Sequence, residues 1–110
     1  MIQTITHLEQ TREILRELSF PYHLRGYRRL CFAIPRFRED PNQSMTKELY
    51  PYVARLTDGQ SAAEVEASIR RVILFTWVHG NREVWEKYFP GRQNPPSNMT
   101  FIATIAEHLQ

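Results

Sequence analysis

SMTKELYPYVARLTDGQSAAEVEASIRRVILFTWVH, residues 44–79, decides the fold, because it reads as two helices joined by a tight turn. Ser44 is a natural N-cap, its hydroxyl able to accept from a first-turn amide. Behind it Met45, Leu49, Val53 and Leu56 fall on one helical stripe. Pro51 lies inside that pattern and predicts a bend after one or two turns. Thr57-Asp58-Gly59-Gln60 is a turn, Asp-Gly being the strong signal. Ser61-Ala62-Ala63-Glu64 has the S-x-x-E form of a capping box. The helix it opens is the longest and most apolar of the chain, with Val65, Ile69, Val72, Ile73 and Thr76 facing inward. Leu74, Phe75 and Trp77 widen the apolar surface of its second half, which predicts that this half is central to the core. A helix pair with a glycine-containing turn matches the helix-turn-helix, whose second helix enters a DNA major groove. Helix hairpins that bind nothing share the pattern.

Outward from this pair the period stays helical. A first helix is predicted from Thr4 to Leu18, with Ile5, Leu8, Leu15 and Leu18 on one stripe, ended by Ser19-Phe20-Pro21. A second starts near His23 and buries Leu24, Tyr27, Cys31 and Ile34, with Pro35 expected to kink or stop it. Residues 39–43 form a polar connector. Gly80 is a stop, and Asn81 caps a short fifth helix through Phe89. After a loop holding Pro90, Pro95 and Pro96, Ser97 or Asn98 opens a last helix carrying Phe101, Ile102, Ile105 and Leu109. Residues 1–110 therefore read as a single all-α domain of about six helices around a helix-turn-helix, without repeat or long linker.

At 42% hydrophobic and 12% aromatic, 110 residues hold enough apolar material for a core, which excludes wholesale disorder. The longest nearly apolar run, Val72 to Val78, is broken by Thr76 and falls far short of the ~20 residues of a membrane span. MIQTITHLEQ has neither a basic nor an apolar leader segment, so a cytoplasmic location is expected. A lone Cys31 and four scattered His predict neither an internal disulfide nor a metal site. The net charge of +2 is unevenly spread: residues 1–55 carry nine basic and six acidic side chains, residues 56–110 five and six. Between Arg25 and Arg38 there are five Arg and no acid. Guanidinium forks suit phosphate. A solvated helix face accounts for the run equally well.

On the second helix of the pair, Glu64, Ala67, Ser68 and Arg71 share a face, flanked by Glu66 and Arg70. Arg can fork onto guanine and Glu can accept from cytosine N4. Read blandly, Arg70 and Arg71 are a surface pair bonded to Glu66. His7, His23, His79 and His108 have no metalloprotease spacing, and Cys31 lies on an apolar stripe as a small hydrophobe. Tyr50, Tyr52, Trp77, Trp85 and Phe101 fall at helical spacing, as core or interface residues do. No glycine-rich phosphate loop occurs. With neither nucleophile nor acid–base constellation, no enzyme and no cofactor is expected.

SMTKELYPYVA (44–54), FPYHLRGYRRL (20–30), TWVHGN (76–81) and PSNMTFIATIA (96–106) resemble, in order, the C-terminal effector domains of sporulation-initiation response regulators. The likeness runs from about residue 4 to the end. It implies a six-helix DNA-binding domain on short promoter elements, often as tandem head-to-tail copies. By the same resemblance Thr46 and Lys47 lie near the DNA backbone, and Glu66 and Arg70 on the reading helix. Trp77 to Phe89 matches a segment that contacts the RNA polymerase sigma subunit, and the final helix one that pairs neighbouring domains.

This chain departs from the family pattern at Glu64 and Ala67, where arginines are usual, and in a turn at Asp58-Gly59 that is one residue longer. The receiver domain of such regulators is not within these residues, so either an excised fragment or a stand-alone relative is expected, the initial Met and the predicted first helix slightly favouring the second. The expected site follows. Glu64, Glu66, Ala67, Arg70 and Arg71 meet bases. Ser44, Thr46, Lys47, Ser61, Arg25 and Arg28, with Arg29 also considered, hold phosphates. Asn81, Arg82, Glu83 and Lys87 face polymerase. The alternative is a protein-interaction module that lost base readout and modulates a homologous regulator by dimerisation, since Glu64, Glu66, Arg70 and Arg71 sum to zero charge.

Overall fold

A computed structural model describes the backbone of residues 2–110 and the side chains from Thr6 onward. Ile5, placed above on the first stripe, lies outside the described side chains. Six α-helices follow one another: α1 (Ile2–Glu17), α2 (Arg25–Glu39), α3 (Tyr50–Leu56), α4 (Ala62–His79), α5 (Arg82–Tyr88) and α6 (Asn98–Glu107). There is no strand among the described residues.

α1 ends at a Ser rather than at the proline. Ser19 adopts φ +70°, the Phe20 amide donates to Leu15 O and the Ser19 amide to Arg16 O, which closes the helix as a Schellman motif. α2 is the hub, packed against α1, α3, α4 and α6. It runs through Pro35 to Glu39, so of the expected kink or stop the stop does not occur. Pro35 is itself buried among Leu30, Ile34 and Phe37, and burial of that stripe outweighs one lost backbone hydrogen bond. Leu24, expected inside, is instead the extended residue before α2 and is exposed, and Tyr27 is half-buried. Gln43 closes the far end, its amide donating to Arg36 O at 3.0 Å and Asp40 O at 2.9 Å.

Ser44 caps the next element as expected, accepting from the Lys47 amide at 3.1 Å. Next to Pro51, where a bend is expected, the helix changes type. Met45–Leu49 is a π-helical turn that passes into α3, with Pro51 in the first turn of α3 where its missing N–H costs nothing. Leu49 and Val53 are buried, Met45 packs at the margin, and Leu56 is exposed. In the turn, Asp58 takes the left-handed conformation, φ +56°. Gly59 serves proximity: a Cβ there would stand 2.8 Å from Val65 Cγ2 and 2.9 Å from Ala54 Cα.

The core is built from Leu15, Leu30, Ile34, Ile69, Ile73, Ile102 and Ile105, with an aromatic cluster at one end. Trp85 sits in that cluster at ring-centroid distances of 5.3 Å from Trp77, 5.5 Å from Phe89 and 5.7 Å from Phe101. Gly80 makes room for it, since a Cβ there would lie 2.9 Å from the Trp85 indole nitrogen and 2.8 Å from Leu18 O. Trp77 is buried, but Leu74 and Phe75 are 49% and 47% exposed. The second half of α4 thus has one buried face, and the apolar run wraps past it onto the surface.

Candidate nucleic-acid interface

α4 begins as the sequence predicts: the Ser61 hydroxyl accepts from the Glu64 amide at 3.1 Å. The reciprocal half of the capping box is displaced. One carboxylate oxygen of Glu64 takes the Gln60 amide at 3.4 Å, and the other takes Arg29 Nη1 at 2.5 Å. Arg29 also donates to the Ser68 hydroxyl at 2.7 Å. Its side chain is 1% exposed and that of Glu64 26%. The Arg29 hydrogen bond, then its charge, holds the Glu64 carboxyl below the usual carboxylate range.

Arg29 is therefore no phosphate ligand, which corrects its consideration alongside Arg25 and Arg28. Those two are exposed and, with Thr57 and Asp58, line a hollow of about 230 Å³. The buried stripe of α2, Gly26, Leu30, Ala33 and Phe37, already contains position 29 at helical spacing, and that periodicity was the readable signal.

The outward ridge of α4 carries Ala63, Ala67, Arg70, Arg71, Leu74 and Val78. A cleft runs along each side of it. On one side Arg70 and Glu66 share a cleft with Thr46, Tyr50 and Asn98. On the other, Arg71 and Ser68 share a groove with Arg25 and Leu24. Thr46 and Lys47 are exposed beside the capped π-turn, and Ser61 is exposed at the head of α4. The structure thus gathers most of the candidate residues around the first three turns of α4.

Asn98 was not anticipated. Its side-chain amide donates to Glu66 O at 3.0 Å and to the Tyr50 hydroxyl at 3.2 Å, tying α6 to α4 and α3. Burial raises the Tyr50 phenol above its usual range.

Helix pairing, turn, capping and basic flanks describe a helix-turn-helix domain. The family described as sporulation initiation factor Spo0A C terminal matches residues 11–109. The chain belongs to that family.

This family is the DNA-binding effector domain of a sporulation regulator, a transcription-regulatory family rather than an enzyme family. Several of the remaining polar groups are engaged in structural contacts. Cys31 is buried, and burial pushes its thiol up, away from a nucleophilic thiolate. His7 bonds the Gln110 backbone oxygen at 2.9 Å, and the His79 and His108 rings pack on Phe75 and Tyr88. No group of three or more His, Cys, Asp or Glu among the described residues is placed to hold a metal. No helix of the described residues is long and apolar enough to cross a membrane.

The residues expected to face polymerase lie on and before α5 of this effector domain. Asn81 Oδ1 accepts from the Glu83 amide at 2.9 Å. The Arg82 guanidinium lies 4.3 Å from the Trp77 ring centroid, and Lys87 reaches Glu17 at 3.3 Å. All four are exposed.

Proposed function

We propose that the chain is a sequence-specific double-stranded DNA-binding transcriptional regulator, acting with the chromosome in the cytoplasm. The observation that carries this reading is the placement of an arginine on each side of the exposed ridge of α4, Arg70 with Glu66 and Thr46 on one side and Arg71 with Arg25 on the other. The first turns of α4 enter the major groove. Arg70 and Arg71 fork onto guanines, Ala67 meets a thymine methyl or leaves room for one, and Glu66 accepts from cytosine. Ser44, Thr46, Lys47, Ser61, Arg25 and Arg28 hold phosphates on either side. Asn81, Arg82, Glu83 and Lys87 face the polymerase sigma subunit. Two copies sit head-to-tail on adjacent elements.

Titration of a family-type element and of a random duplex across a salt series tests the reading. Tighter binding to the element, with affinity falling linearly in log salt, is expected. No retardation on either duplex at low salt overturns it. Arg70→Ala and Arg71→Ala are each expected to cost about 1–3 kcal/mol of discrimination.

A second reading is favoured by a separate observation. Leu74, Phe75 and Val78 are exposed together on α4, an apolar surface of the kind that marks interaction sites. A protein-interaction module that modulates a homologous regulator by pairing uses such a face. A stable hetero-oligomer, with DNA binding indifferent to Arg70→Ala and Arg71→Ala, decides for it.

A further inference from the structure

Within the packing of α2 on α4, two contacts fall along the first three turns of the proposed reading helix. At the first, Gly26 lets the two backbones meet, since a Cβ on residue 26 would stand 2.5 Å from Ser68 O and 2.6 Å from Val72 Cγ1. At the second, one turn further along α2, Arg29 reaches across to Glu64 at 2.5 Å and to the Ser68 hydroxyl at 2.7 Å. The Ser68 hydroxyl itself donates to Val65 O at 2.9 Å. The first contact fixes distance. The second is directional, and adds a polar constraint on the roll of α4 to the packing of its buried face.

A fully buried guanidinium is costly to desolvate, and its two hydrogen-bond partners, Glu64 and Ser68, are both on α4. Arg29 Nε is buried without a hydrogen-bond partner from the protein. Arg70 and Arg71 project two and a half turns beyond the head of α4, where a small roll at residue 64 moves their forks by ångströms relative to a base edge. Discrimination by bidentate contacts tolerates little such displacement.

We infer that Arg29 is a positioning residue for base readout, and that Glu64 serves it rather than a base. This rests on the DNA-reading role proposed for α4. Arg29 and Glu64 act as one unit that sets the roll of α4, and so fixes which base pairs Arg70 and Arg71 meet.

The test is a double-mutant cycle of Arg29→Met and Glu64→Ala on a panel of single-base variants of the bound element. Each variant is expected to lower the ratio of specific to random-duplex affinity roughly tenfold, as coupled neighbours do. Both give the same altered base profile, the double variant adds nothing, and the salt slope is unchanged. Arg28→Ala, by contrast, reduces the slope by about one.

Three results overturn the inference. One is a Glu64→Ala effect confined to a single base pair and independent of Arg29. Another is a slope lowered by Arg29→Met, which makes Arg29 a phosphate ligand. The third is a specificity ratio unchanged in folded variants. If Arg29→Met does not fold, Arg29→Met with Glu64→Met removes the pair without leaving an unpaired buried charge and carries the same expectations.

Amide hydrogen exchange needs no DNA and separates the two readings. In Arg29→Met or the Met pair, the amides of Val65 to Ser68 are expected to exchange about tenfold faster, with those of Ile102 to Ala106 unchanged. Uniform exchange overturns the inference whatever the DNA result. A wild-type chain that discriminates no element, with faster exchange at the head of α4, overturns the DNA reading and leaves the hold of Arg29 on α4 standing.

Discussion

Gly26 and Ser19 are opposite cases of a backbone demand. Gly26 is required by proximity, and Gly26→Ala drives a methyl into the Ser68 carbonyl and the Val72 side chain. Equilibrium urea unfolding is expected to show a loss of about 1–3 kcal/mol, the usual cost of overpacking a close contact. Ser19 holds φ +70° without being glycine. Ser19→Gly relieves that strain and is expected to raise stability by about 0.5–1 kcal/mol in the same measurement, part of the gain being offset by the extra freedom of glycine in the unfolded chain.

At the same scale, Glu64 and Glu17 share a pH signature. Arg29 lowers the first, and the Tyr88 hydroxyl, donating at 2.6 Å, lowers the second. A carboxylate whose folded pKa is depressed stabilises the fold fully above its unfolded value, about 4.3, and loses that contribution as the pH falls through the folded value. Melting temperature is therefore expected to decline from about pH 4.3 downward, with a shallower decline in Glu64→Gln.

Among the elements, helix ends are where the sequence was most legible. Ser44, Ser61, Asn81 and Ser97 each accept from an amide two or three residues on, at 2.9–3.1 Å, as their residue types predict. Ser61→Ala is expected to cost about 1 kcal/mol by urea titration, through frayed first-turn amides of α4. Legibility failed where local chemistry competed with packing. Pro35 argues for a break and Leu74 and Phe75 argue for burial, yet α2 stays whole and both α4 residues reach solvent. A proline's cost is local and fixed, whereas the gain from burying Leu30, Ile34 and Phe37 depends on which helices lie opposite. For α4, periodicity gives the width of the apolar arc but not how much of it neighbours cover.

For the whole molecule, stability rests on α2 as the common wall and on the aromatic end cluster. Phe101 is fully buried between Phe20, Trp85 and Phe89. Phe101→Ala is expected to cost about 3–5 kcal/mol, read by urea unfolding with Trp fluorescence. That is a large share of the ~5–15 kcal/mol available to a domain of this size. The +2 net charge of the chain also acquires a geometry. Arg25 borders one side of α4, Arg28 stands with it beside Thr57 and Asp58, Arg29 is withdrawn inside, and Arg36 is turned to the Tyr52 ring at 4.5 Å from its centroid.

The sequence by itself determined the helical class, the order of six helices, their caps and the family, because period, capping residues and short motifs are local properties of the chain. It also placed Thr46, Lys47, Arg70 and Arg71 on or beside the same pair of helices. Only the tertiary structure decided what Arg29 and Glu64 do. Nothing within 34 residues of intervening chain says that a buried guanidinium on one helix will claim the carboxylate at the head of another. That choice is made by the crossing of α2 and α4 at Gly26, where desolvation leaves the arginine no partner but those α4 supplies.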